Sequence, residues 1–90
     1  MKKYSFNAQK AMHKRWLNRL PIHEMIAEIL NDFVWIESPY IYWMARQIVS
    51  SMSNDVFRQM LSKAKKMGLI EQRWDDVTGF MYRKVARDDV

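Results

Sequence analysis

Phe57-Arg58-Gln59-Met60-Leu61-Ser62-Lys63-Ala64-Lys65-Lys66-Met67-Gly68-Leu69-Ile70 is the stretch on which the reading of this chain turns. Wound at about 100° per residue, Val56, Phe57, Met60, Leu61, Ala64 and Met67 gather on one side of a helix. Asp55, Arg58, Gln59, Ser62, Lys65 and Lys66 take the other side, with Lys63 at the margin. Three lysines crowd the last turn, where unpaired carbonyls favour positive charge. Gly68 follows at the position that prefers a left-handed backbone. Beyond it the helical period is lost, so a basic amphipathic helix over 54–67 stops sharply and hands over to a strand.

Downstream, residues 69–74 and 80–85 are β-prone. Between them lies Asp75-Asp76-Val77-Thr78-Gly79, turn formers ending in a glycine, which predicts a five-residue hairpin loop. Upstream, Ser50-Ser51-Met52-Ser53 is a polar break, with Ser53 or Asn54 placed to cap the basic helix. Before it, Ser38 as N-cap and Pro39 in the first turn predict a helix over 39–48. That helix buries Ile41, Met44, Ala45 and Ile48, while Tyr40, Tyr42 and Trp43 leave it apolar around much of its circumference. Val34-Trp35-Ile36 is β-prone and long enough only for an edge pairing.

Ile22, Met25, Ile26, Ile29, Leu30 and Phe33 form a regular apolar stripe opposite Glu24, Glu28, Asn31 and Asp32, which predicts a helix over 22–33. A further helix is expected over 7–20, capped by Asn7, with Ala8, Met12, Trp16 and Leu20 as its stripe, widened by Leu17. Pro21 ends that helix or opens the next.

The order is therefore helix, short strand, helix, tight turn, helix and two-stranded hairpin. In that context the Phe57-to-Ile70 stretch, with its Lys-Lys-Met-Gly-Leu-Ile ending, resembles the third helix and first wing strand of winged helix-turn-helix proteins. The resemblance covers Ile22 to Val85. It implies a mainly α fold with a small β-hairpin: a basic N-terminal extension helix over 1–20, a winged-helix domain over 21–86 and a tail over 87–90. One residue departs from the pattern. Ala64 stands where such helices often carry leucine, so Met60, Met67 or the aromatics are expected to complete the packing.

The resemblance also implies a docking mode, with the 54–67 helix in the major groove of duplex DNA and the hairpin 69–85 as wing over the backbone. The residue types suit it. Arg58 and Gln59 can pair bidentately with guanine and adenine, and Ser62 with either. Asn54 lies at the start of the same helix, and Lys63, Lys65 and Lys66 suit phosphates. Arg73, Arg83 and Lys84 of the hairpin are expected to reach backbone or minor groove, and Trp74 to stack or pack. Asp55 counts against this face, because an acid facing phosphates is unfavourable.

Composition narrows the alternatives. Ninety residues suffice for one core, and 49% apolar with 28% charged residues suits a compact fold and not a disordered tail. The net charge of +5 is unevenly spread. Residues 1–20 hold six basic groups and no acid, 21–37 four acids and no base, and 38–68 five basic groups against Asp55 alone. Confined positive charge of this kind suits a polyanion. With no cysteine there is no disulfide framework or thiolate metal site, and a cytoplasmic location is expected. No apolar run approaches the roughly 20 residues that span a bilayer, so no membrane partner is expected.

His13 and His23 stand ten apart without ligand-spaced companions, so no metal or other cofactor is expected. No nucleophile–base pair is visible, and two glycines leave little room for a phosphate-cradling loop; an enzyme is not expected. The expected function is a sequence-specific, double-stranded DNA-binding protein, a small transcription regulator that occupies an operator. The competing expectations are a winged helix used as a protein–protein interaction module and a non-specific architectural or replication-accessory DNA binder. Eight methionines and twelve aromatics exceed what a core of this size hides, which makes Met12, Trp16, Tyr40, Tyr42 and Trp43 a candidate homodimer surface.

Overall fold

Pro21, with no N–H to donate, separates the first two helices of the computed structural model, which describes residues 14–86. Helix α1 (Lys14–Arg19) precedes it and α2 (Ile22–Glu28) follows. Strand β1 (Ile36–Glu37) runs directly into α3 (Ser38–Arg46), and α4 (Asn54–Lys66) leads to the hairpin of β2 (Ile70–Asp75) and β3 (Gly79–Lys84). The result is an α+β domain whose antiparallel sheet has the order β1-β3-β2.

The ends of α4 follow from its sequence. Ser53 Oγ accepts from the Val56 amide at 3.2 Å, capping the start. At the other end Gly68 takes φ 78°; its amide reaches Lys65 O, and the Leu69 amide reaches Ala64 O, both at 3.0 Å. That pair of bonds is a Schellman closure, and it turns the chain straight into β2. Asp75 Oδ1 accepts from the amides of Val77 at 2.8 Å and Thr78 at 3.1 Å, and Gly79 takes φ 85°. Asp75 and Gly79 pair with each other, so the loop proper is Asp76-Val77-Thr78 and not five residues.

Phe57, Met25, Ile26 and Ile41 are the largest fully buried side chains, joining α2, α3 and α4 in one core. Ile36, Ile70 and Tyr82 bring the sheet onto it, and Leu17 of α1 belongs to the same cluster at 3% exposure. Ala64 is fully buried where α2 packs against α4. Met60 and Tyr42 are partly buried against the same core, and the Tyr42 and Phe57 rings lie 5.0 Å apart between centroids. His23 is also buried, with Nε2 3.8 Å from Glu24 Oε2.

Several expectations need correction. Helix α2 stops at Glu28, and Phe33 is 75% exposed. The cause is Asn31, whose Oδ1 accepts from the amides of Phe33 and Val34 at 3.1 and 2.8 Å and bends the chain out of the helix. Ser38 is not a cap but the first helical residue, because β1 abuts α3 and Glu37 takes the capping position. Helix α3 ends at Arg46, two residues early, although Ile48 is still buried in the following turn. Val56 and Met67 are exposed, since α4 meets the core through Phe57, Leu61 and Ala64, one stripe narrower than the periodicity implies. In α1 it is Leu17 and not Trp16 that enters the core. Asn7, Ala8 and Met12 lie outside the described residues, as does the tail over 87–90. Among the described residues, no helix is long and apolar enough to cross a membrane.

Candidate nucleic-acid interface

Helix α4 carries the candidate site because only one of its sides is buried. Asn54, Arg58, Gln59, Ser62, Lys63, Lys65 and Lys66 are all exposed, with Asp55 among them. The turn positions divide them. Gln59, Lys66 and Asp55 point directly away from the core, Lys63 lies on one flank, and Arg58, Ser62 and Lys65 lie on the other, toward the hairpin.

Strand register decides what faces that second flank. Ile70, Gln72 and Trp74 pair with Lys84, Tyr82 and Phe80, placing these side chains on the sheet face turned toward the helices. The base of this face, Ile70 and Tyr82, is buried in the core, whereas Trp74 and Phe80 near the tip remain 60% and 49% exposed. Their rings meet edge to face, 5.0 Å between centroids. Between α4 and this hairpin face lies an open cleft of about 400 Å³, also lined by Ser38 and Pro39. Lys65 Nζ donates to Gln72 Oε1, and Gln72 Nε2 donates to Tyr82 Oη at 2.8 Å, so a chain of hydrogen bonds crosses from helix to both strands.

The hairpin cations lie elsewhere. Arg73 and Arg83 point to the opposite face, where their guanidinium carbons sit 4.8 and 4.4 Å from the centroid of the Trp35 ring. Arg83 Nε also donates to Glu71 Oε2 at 2.6 Å. Lys84 Nζ pairs with Glu28 Oε1 at 3.3 Å, against α2. The structure thus brings Arg58, Ser62 and Lys65 together, with Gln59 and Lys66 beside them, and sets Arg73, Arg83 and Lys84 apart. By contrast, among the described residues none of Arg58, Lys63, Lys65 and Lys66 has a carboxylate partner. At the tip, the two backbone amides bonded to Asp75, together with Thr78 and the charge of Arg73, hold its carboxyl below the usual carboxylate range. With Asp76 this makes the hairpin tip acidic.

Sequence reasoning missed the inner hairpin face as a partner of α4, and with it Gln72, Phe80 and Tyr82. The signal was present in the alternation Ile70, Gln72, Trp74 and Phe80, Tyr82, Lys84, but only the register aligns the two sets. It also missed Trp35 as the platform for both arginines. Of the aromatic surface candidates, Trp16, Tyr40 and Trp43 are about half exposed. Tyr42 instead packs on Phe57, donates to Met52 O at 3.3 Å and carries Arg46 over its ring. Met12 lies outside the described residues. Compared with known proteins, the chain matches no family model, no curated protein and no solved structure.

Proposed function

We propose that this chain is a winged-helix domain that binds duplex DNA through α4, in the manner of a small transcription regulator. The order of elements and the β1-β3-β2 sheet support the winged-helix reading. The observation that carries the DNA reading is the charge state of α4: Arg58, Lys63, Lys65 and Lys66 are exposed and unneutralised by any carboxylate among the described residues. Four uncompensated cations on the exposed sides of one helix favour a polyanion, and a helix of this width fits a major groove. Arg58 and Gln59 are placed to read base edges, while Lys63 and Lys66 are placed for phosphates. The hairpin contributes less than a wing usually does, because Arg83 and Lys84 are paired internally, Arg73 lies over Trp35 and the tip is acidic.

Binding to a mixed-sequence duplex, measured by anisotropy at several salt concentrations, tests this. Release of counterions by the α4 cations should give a slope of log K against log salt of about −3 to −4. A flat response removes the DNA reading. The exposed aromatics and acidic tip of the hairpin would then favour the second reading, a winged helix that docks a protein. Size exclusion of the free chain tests whether the half-exposed Trp16, Tyr40 and Trp43 hold a homodimer together.

A further inference from the structure

The cleft between α4 and the hairpin has two unlike walls: the cations Arg58 and Lys65 on the helix, and Phe80 on the strand. We infer that it takes one unpaired nucleotide, base against Phe80 and phosphate against Arg58 and Lys65. The chain then prefers DNA with a single-stranded end or a displaced base over continuous duplex. This inference rests on the nucleic-acid reading above and adds the structure of the substrate to it.

Four features support that occupant. At about 400 Å³ the cleft is within the roughly 300–1,000 Å³ of sites that enclose small ligands. Phe80 is 49% exposed and Trp74, its cross-strand partner, 60%. An edge-to-face pair covers less ring surface than a stacked one, so aromatic area is left open for a base. Charge orients the guest: Arg58 and Lys65 on the α4 wall attract the backbone, while Phe80 on the opposite wall carries no charge. A strand therefore runs its phosphates along the helix and turns its base toward the rings. Lastly, the polar groups of the floor are committed to one another through Lys65, Gln72 and Tyr82. The hydroxyls of Ser38 and Ser62 around it can each donate or accept, which gives tolerance of base identity and not readout of it.

A fully paired duplex cannot place a base in this cleft without unstacking it, whereas an overhang offers one at little cost. The test compares a blunt duplex with the same duplex carrying a short oligothymidine overhang on either strand, using the full chain. The ratio of the two affinities is the readout. The overhang should bind about tenfold more tightly, as expected for one stacked base. Phe80→Leu, which keeps an apolar side chain but no π-face, should bring the ratio to one while blunt-duplex affinity stays unchanged. Phe80→Trp should retain the preference. If Phe80→Leu lowers the melting temperature, Phe80→Met replaces it, keeping more apolar bulk without a π-face, and should also abolish the ratio. Salt-dependent duplex binding with a ratio of one in the parent overturns the cleft assignment and leaves the duplex reading standing. Failure to bind any of the probes overturns both.

Discussion

Arg83 and Lys66 carry the same charge in opposite circumstances. Arg83 is about one-third exposed, bonded to Glu71 and stacked on Trp35, whereas Lys66 stands in solvent on α4 with no carboxylate near it. Arg83→Ala should therefore act on stability, costing about 1 kcal/mol of ion pair and cation–π stacking in a denaturant titration, with duplex affinity unchanged. Lys66→Ala should melt like the parent, weaken all duplexes alike and reduce the salt slope by about one. The reverse pattern would return the hairpin to the centre of the interface. Neither ion pair of the hairpin was visible in the sequence. Glu71 is 12 positions from Arg83, and the Glu28 that pairs with Lys84 is 56 positions away. The residue types told which side chains are basic; only the folded chain tells which of those charges are already satisfied.

The elements themselves were largely legible, because periodicity and punctuation agreed. Alternation of period 3.6, Ser53 and Gly68 delimit α4 to within a residue or so, and the hairpin strands follow from the change of period. Where apolar pattern and turn chemistry disagreed, turn chemistry won: the α2 stripe runs to Phe33, but the Asn31 side chain captures two backbone amides first. The inner hairpin face was not legible, since helix-to-strand juxtaposition depends on register. Asp75 is the corresponding device at the hairpin tip, and it makes a pH prediction. Its folded pKa is depressed by bonds from Val77 and Thr78, so its contribution to the tip is fully present above the ordinary aspartate value of about 3.9. That contribution is lost only as the pH falls through the lowered value. Backbone amide shifts of Val77 and Thr78 should titrate with a midpoint below that of an ordinary aspartate. Asp75→Ala should abolish that transition and loosen the tip at neutral pH.

At the scale of the molecule, one core runs from α1 to the sheet. Leu17 precedes Pro21, yet it is as buried as Ile36 in β1. Leu17→Ala should cost about 2–5 kcal/mol, a large share of the roughly 5–15 kcal/mol typical of whole domains. Trp16→Ala, one position earlier and half exposed, should stay within about half a kcal/mol if the chain is monomeric. Thermal melts of the two variants check both, and equal losses would mean that α1 is held by its outer face instead. A truncated chain starting at Ile22 should likewise melt well below the parent.

The hydrogen-bond chain from Lys65 through Gln72 to Tyr82 fastens the last turn of α4 to both strands of the hairpin. Its consequence is kinetic. The gap between helix and hairpin is held by these bonds, so entry of the proposed nucleotide would require no hinge motion and would freeze few rotamers. Encounter with the proposed guest would then be governed by diffusion and by the field of the α4 cations, and on-rates should stay similar across DNA probes at a given ionic strength. Discrimination among those probes should then appear as residence time: how long each stays once seated, and not how quickly it arrives.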